Sequence, residues 1–146
     1  MTPELLKQIE QEEGRIRWAY RDSLGYLTIG VGFLIDQKGG GGLQDIEIDF
    51  ILRNRAQQTQ DKVLQRWPWV AGQLPARRDA LVNMAYQMGV NGLTAFEKFL
   101  AYLKDENYLL ASDEMLSSKW AKQTPARAKR MSKQILTGEY QWTSQQ

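Results

Sequence analysis

The sequence predicts an α+β protein that is mostly helical, with a small β-containing N-terminal lobe and a larger helical lobe. Two observations predict this class. Apolar and polar residues alternate over 15–21, and a second strand-like segment follows at 26–31, which is typical of a half-buried β-hairpin. From residue 44 onward, apolar residues recur at helical spacing between breaks that contain glycine or proline.

We expect one domain, because 146 residues can enclose a single hydrophobic core. The expected N-terminal lobe is about 13–60, and the helical lobe combines about 1–12 with 61–146. The first helix is therefore expected to pack with the helices of the second lobe. A cleft between the two lobes is where a polymeric substrate would lie.

The N-terminal elements follow from local signals. Thr2-Pro3 predicts a helix start, with threonine as N-cap and proline at the first helical position, and Gly14 predicts the helix end. Asp22-Ser23-Leu24-Gly25 has the composition of a turn and joins the two predicted strands. The four glycines at 39–42 predict a flexible loop. One long or broken helix is predicted at 44–66, and further helices are predicted at about 76–88, 93–104, 106–117 and 125–136.

Composition narrows the chemistry. The chain has no cysteine and no histidine, so it lacks a thiol nucleophile, a thiolate metal site and the commonest general base. Acid–base catalysis would fall to aspartate and glutamate, with lysine and tyrosine as weaker substitutes, and paired carboxylates favour glycosyl transfer to water. We expect no cofactor and no metal. No apolar run is long enough to span a bilayer, and the N-terminal residues show no secretory signal.

Charge is unevenly distributed although the net charge is only +2. Residues 117–137 contain six basic residues and no acidic one. Such a face is ordinary solvated surface about as often as it is a site that attracts a polyanion, such as nucleic acid, phospholipid or an acidic wall polymer. We find no nucleic-acid recognition motif and expect no nucleic-acid partner.

Glu13, Asp22 and Thr28 are the candidate catalytic residues. Glu13 ends a predicted helix, where the helix dipole disfavours negative charge and so favours the protonated form of an acid. Asp22 begins a turn and Thr28 lies on a strand, and both are common there for structural reasons alone. A hairpin after Gly14 would bring them near the helix end, with room between the carboxylates for a water.

Eight residues separate Glu13 from Asp22, and five separate Asp22 from Thr28, within the segment EEGRIRWAYRDSLGYLTIGVG. This spacing resembles the catalytic signature of the T-even bacteriophage lysozyme family. ARRDALVNMAYQMG (76–89), WAKQTPARAKRM (120–131) and TGEYQW (137–142) resemble further blocks of that family, in the same order.

The resemblance implies a lysozyme-like two-lobed fold and a phage endolysin that cleaves peptidoglycan between N-acetylmuramic acid and N-acetylglucosamine. Glu13 would be the general acid, Asp22 and Thr28 would place and activate water with inversion, and Arg127 would pair with Glu13. The implied substrate-binding positions are Leu34, Tyr86, Phe99 and Glu114, of which the last two have changed residue type.

Other departures from the family pattern lie nearby. Phe33 replaces a histidine, and Arg55 stands where the family has the acid that pairs with it, so both partners of that ion pair are absent together. The segment after Phe33 is shorter than in the family. We expect a trimmed N-terminal lobe.

Two rival functions remain. A lytic transglycosylase would use the same glutamate but needs no base to activate water, so the presence of Asp22 and Thr28 favours hydrolysis. A non-catalytic wall-binding module is disfavoured because all three catalytic positions are retained. We expect a monomer without stable membrane insertion, made in the host cytoplasm and released to the wall by a separate holin-type pore.

Overall fold

The computed structural model describes residues 1–36 and 41–143. The chain divides into two compact units, an N-terminal unit of Met1–Ile51 and a C-terminal unit of Leu52–Gln146. The mixture of helices with a small antiparallel sheet confirms the α+β class. The assignment of residues 1–12 to the helical lobe, and the cleft between lobes, stay predictions. Half of the predicted glycine loop, residues 39 and 40, lies outside the described residues.

The N-terminal unit begins with a helix and continues into a sheet. Helix α1 spans Pro3–Glu13, and the Thr2 hydroxyl accepts a hydrogen bond from the Leu5 amide at 3.3 Å, which confirms the predicted cap. The strands are β1 (Ile16–Arg21), β2 (Leu27–Gly30) and β3 (Phe33–Asp36). The order β1-β2-β3 is antiparallel throughout, so the predicted hairpin is confirmed and β3 is added to it.

Register places specific side chains together on this sheet. Thr28 on β2 is opposite Tyr20 on β1 and opposite Leu34 on β3. Directly opposite residues of an antiparallel pair project from the same face. Thr28 therefore lies between two larger side chains, which is why it is only 4% exposed while most of this unit is partly or fully accessible.

The remaining helices follow the predicted order. Helix α2 (Asp45–Arg66) matches the predicted 44–66, and a 3-10 helix at Pro68–Gly72 forms the interruption. Helix α3 runs from Pro75 to Thr94 but breaks at Gly89, whose φ of 80° and ψ of 156° are not helical. The last helices are α4 (Glu97–Lys104), α5 (Tyr108–Leu116), α6 (Lys119–Gln123) and α7 (Pro125–Thr137). Within the described residues, no helix is both long enough and apolar enough to cross a membrane.

The hydrophobic core of the C-terminal unit is formed where α3, α4, α5 and α7 pack together. Its largest fully buried side chains are Val63, Val70, Leu81, Met84, Leu93, Phe99, Leu103, Met115 and Ile135. Burying a side chain of this size contributes about 1.5–3 kcal/mol relative to leaving it in water. These helices therefore form the stable scaffold of the second unit.

A buried arginine ties α3 to the end of α7. Arg77 Nε donates to the Ile135 carbonyl at 2.8 Å, and Nη2 donates to the Leu136 carbonyl at 3.3 Å. Its guanidinium carbon lies 3.4 Å from the centre of the Tyr108 ring. The last carbonyls of a helix have no partner within the helix, and Arg77 donates hydrogen bonds to two of them. Its positive charge also interacts favourably with the negative end of the helix dipole.

Candidate active site

Glu13 is the last residue of α1, and its side chain is exposed. Gly14 follows with φ of 78° and ψ of 166°, a conformation that glycine adopts readily and that turns the chain towards β1. The Gly14 amide donates to the Glu10 carbonyl at 2.8 Å and closes the last helical turn. Within the described part of the N-terminal unit, the Glu13 carboxylate has no hydrogen-bond or ion-pair partner.

The Glu13 carboxylate lies against the turn between β2 and β3. A Cβ atom at Gly32 would be 2.6 Å from Glu13 Oε2 and 2.9 Å from its Cδ, so the carboxylate occupies the space beside this glycine. The sheet thus approaches the end of α1 at Gly32. Sequence reasoning missed this glycine, although it stands inside the TIGVG segment that carries Thr28.

Asp22 organises the turn between β1 and β2. Its Oδ1 accepts hydrogen bonds from the Leu24 and Tyr26 amides, both at 2.9 Å. This is an Asx-turn, in which the side chain replaces a backbone acceptor. The second carboxylate oxygen has no protein partner within the described part of the N-terminal unit, and it is the atom through which Asp22 could bind water.

Thr28 and Asp22 are connected through one carbonyl. The Tyr26 carbonyl accepts from the Asp22 amide at 2.9 Å and from the Thr28 hydroxyl at 3.1 Å. Because the Thr28 hydroxyl donates its proton to that carbonyl, its oxygen lone pairs remain able to accept a hydrogen bond. Leu34, opposite Thr28 on β3, shares its face of the sheet.

Arg127 is held by α3 within the C-terminal unit. Its Nε donates to the Asn83 side-chain oxygen at 2.9 Å, and its Nη2 donates to the Asn83 carbonyl at 3.1 Å. Burial, and secondarily the nearby positive charge of Arg130, lower the pKa of Arg127. Its predicted pairing with Glu13 stays a prediction. Asn83 was missed by sequence reasoning, although it lies inside the ARRDALVNMAYQMG block.

The predicted substrate residues of this unit line two separate cavities. Tyr86, which is 43% exposed, and Arg127 line a cavity of about 590 Å³ beside the start of the second unit. Phe99 and Glu114 line another of about 630 Å³, together with Trp120. Phe99 is 1% exposed and packs edge-to-face on Phe96, so its side chain belongs mainly to the core.

The structure therefore distributes the predicted residues between the units. The N-terminal unit carries Glu13, Asp22, Thr28 and Leu34, and the C-terminal unit carries Tyr86, Phe99, Glu114 and Arg127. The small sheet and the adjoining end of α1 carry two carboxylates and a hydroxyl. These are functional groups that acid-catalysed hydrolysis of a glycosidic bond requires.

A mostly helical fold with a small antiparallel sheet is consistent with a hydrolase of the lysozyme class. The sequence profile of the phage lysozyme family matches residues 10–136, which include Glu13, Asp22, Thr28 and Arg127. The chain belongs to the phage lysozyme family. Membership makes it a glycoside hydrolase that acts on peptidoglycan.

Curated proteins similar to this chain include two T4-type lysozymes and a phage spike protein. "Probable T4-type lysozyme 1" and "Probable T4-type lysozyme 2" of Dictyostelium discoideum are 26% and 25% identical to it, over 94% of this chain and 96% of each relative. The "Pre-baseplate central spike protein Gp5" of Enterobacteria phage T4 is 28% identical over 92% of this chain but only 28% of its own length.

Proposed function

We propose that the protein is an N-acetylmuramidase that hydrolyses the β-1,4 bond between N-acetylmuramic acid and N-acetylglucosamine with inversion of configuration. The observation that carries this proposal is the placement of Glu13, Asp22 and Thr28 in the N-terminal unit. Glu13 ends a helix with an exposed carboxylate, whereas Asp22 and Thr28 share the Tyr26 carbonyl. One group can donate a proton while the other two hold a water.

In this mechanism the Glu13 carboxyl transfers its proton to the bridging oxygen as the bond to the muramic acid C1 breaks. Water attacks C1 from the opposite face and gives a proton to the unpaired oxygen of Asp22. The Thr28 oxygen accepts a hydrogen bond from the same water and orients it. Solvent then returns a proton to Glu13 and removes one from Asp22, which restores both groups.

The role of Asp22 in the Asx-turn supports its assignment as base. One carboxylate oxygen is fixed by two amide donors, so the second oxygen has a defined direction. A positioned catalytic group avoids the entropic cost of being placed during reaction. Leu34 and Tyr86 would provide apolar contact to sugar rings, with the Tyr86 ring available for stacking.

Glu13→Gln tests this proposal, and Glu12→Gln on the same helix is the matched control because Glu12 is also exposed. We expect Glu13→Gln to fold normally and to lose at least about 100-fold in hydrolysis of purified peptidoglycan, since general acid catalysis contributes about 10²–10⁴-fold. Fragments are read by mass spectrometry. Reducing muramic acid ends, produced by wild type and Glu12→Gln only, support the proposal.

Other outcomes of this digest identify the rival functions. Anhydromuramic ends would indicate internal attack by the 6-hydroxyl and a lytic transglycosylase. Undigested wall in every sample would indicate a binding module. Full activity of Glu13→Gln would refute the assignment of the acid.

We also propose that the enzyme acts in lysis from within the host, as a monomer, and reaches the wall through a separate pore-forming protein. Expression with and without such a pore-former tests this route, and lysis should require both proteins. Detection of the protein as a component of purified virions would contradict a role confined to lysis.

The positive surface of α6 and α7 supports docking on the wall. Lys122, Lys129 and Lys133 are exposed, and within the described residues none of them forms an ion pair. Lys129 and Lys133 are one helical turn apart and so lie on one face. This surface would attract the free carboxylates of peptidoglycan peptides, and added salt would screen the attraction and reduce its range.

A further inference from the structure

The turn between β2 and β3 contains a glycine whose missing side chain leaves room for Glu13. Gly32 has a φ of +68°, in the left-handed region that glycine tolerates best. A Cβ at this position would lie 2.6 Å from Glu13 Oε2, 2.9 Å from Cδ and 3.2 Å from Cγ. Three successive atoms of one side chain therefore occupy the space that an alanine methyl would take.

The overlap is large enough to move the carboxylate. At 2.6 Å the contact is 0.8 Å closer than the 3.4 Å at which ordinary van der Waals contact begins. The obstructed atoms belong to the end of an exposed, flexible side chain, so Glu13 would shift and the backbone would not. A substitution at Gly32 should thus leave the unit folded but displace the carboxylate.

We propose that Gly32 is a positioning residue for the catalytic acid. The sheet presents bare backbone to Glu13 at this point, and the missing side chain leaves the carboxylate the space that it occupies. This inference depends on the proposed role of Glu13 as proton donor. Displacement of a catalytic group by about 1 Å can reduce a rate by about 100-fold, so the space beside Gly32 sets how well the acid reaches the bridging oxygen.

Gly89 offers a matched control for backbone strain. Its φ is +80°, close to that of Gly32, but nothing lies within 4 Å of a Cβ built on it. Gly89→Ala and Gly32→Ala should therefore destabilise the protein to a similar extent, measured by urea unfolding. Only Gly32→Ala should reduce kcat on solubilised peptidoglycan, by roughly 10- to 100-fold, with KM changed less than about twofold.

A double-mutant cycle with Glu13→Asp separates displacement of the acid from general damage. The aspartate carboxylate is one methylene shorter and withdraws from the Cβ, so Gly32→Ala should reduce kcat less than about threefold when Glu13→Asp is already present. The carboxyl carbon signal of Glu13 in ¹³C NMR, identified by its loss in Glu13→Gln, should move in Gly32→Ala and stay in place in Gly89→Ala.

Three results would overturn the inference. These are equal kcat losses in the two alanine variants, fully additive losses in the cycle, or an unmoved Glu13 carboxyl signal in Gly32→Ala. Equal activity of wild type and Glu13→Gln is a different result, because it would refute the proposed function and remove the premise that Glu13 is the acid.

Discussion

Two substitutions of Asp22 separate its structural role in the turn from its proposed role as base. Asp22→Asn keeps the Oδ1 acceptor for the Leu24 and Tyr26 amides but removes the negative charge. Asp22→Ala removes the acceptor as well. Both variants should lose activity, whereas only the alanine variant should lose the turn.

The magnitudes follow from the two hydrogen bonds. A typical intramolecular hydrogen bond contributes about 0.5–1.5 kcal/mol net, and these two lie in a mostly exposed turn where water can replace the acceptor. We therefore expect Asp22→Ala to be less stable than Asp22→Asn by about 1–2 kcal/mol, or about 2–8 °C in Tm. Loss of a general base should reduce kcat by about 10²–10⁴-fold in both variants.

The assay pairs urea unfolding with peptidoglycan hydrolysis for each variant. Ser23→Ala is the control, because it removes an exposed hydroxyl from the same turn without touching either amide contact. Equal stability of the asparagine and alanine variants would refute the structural reasoning. Hydrolysis by Asp22→Asn at the rate of wild type would refute the assignment of Asp22 as base.

Two further predictions concern the C-terminal unit. Arg77→Ala should cost about 2–4 kcal/mol in free energy of unfolding, because it removes two hydrogen bonds to the end of α7 and a contact with an aromatic ring. The neighbouring Arg78→Ala should cost under about 1 kcal/mol, since Arg78 forms a partly exposed ion pair, and equal costs in urea unfolding would contradict this. At low ionic strength, the double variant Lys129→Gln/Lys133→Gln should bind sedimented peptidoglycan more weakly than wild type. At about 0.5 M salt the two proteins should bind equally, because the charges are screened. A binding defect that persists at high salt would exclude long-range attraction.

The parts of the fold that were predicted from sequence are those controlled by local chemistry. Thr2 and Pro3 set the start of α1, and alternating residues after Gly14 set the hairpin. Strand β3 was missed because the first three residues of Phe33–Asp36 form an unbroken apolar run that does not alternate with polar residues. Helix α6 was missed because five residues give hardly more than one turn.

In the candidate site, too, some features follow from local sequence patterns and others depend on how the elements pack. Asp22 was predicted as a turn residue and Thr28 as a strand residue, and their connection through Tyr26 follows from the hairpin itself. The approach of Glu13 to Gly32 depends on the angle at which the sheet returns to the end of α1. No local pattern encodes that angle, so the resemblance predicts Glu13 as the acid but does not point to the glycine beside it.

The contact between Arg127 and Asn83 joins two blocks that the sequence presents as independent. The arginine belongs to α7 and the asparagine to α3, and two hydrogen bonds connect their side chains and backbone. A guanidinium has five N–H donors in a fixed plane, so Asn83 uses two and leaves three whose directions are then determined. Helix α3 therefore fixes the orientation of this cation within the C-terminal unit.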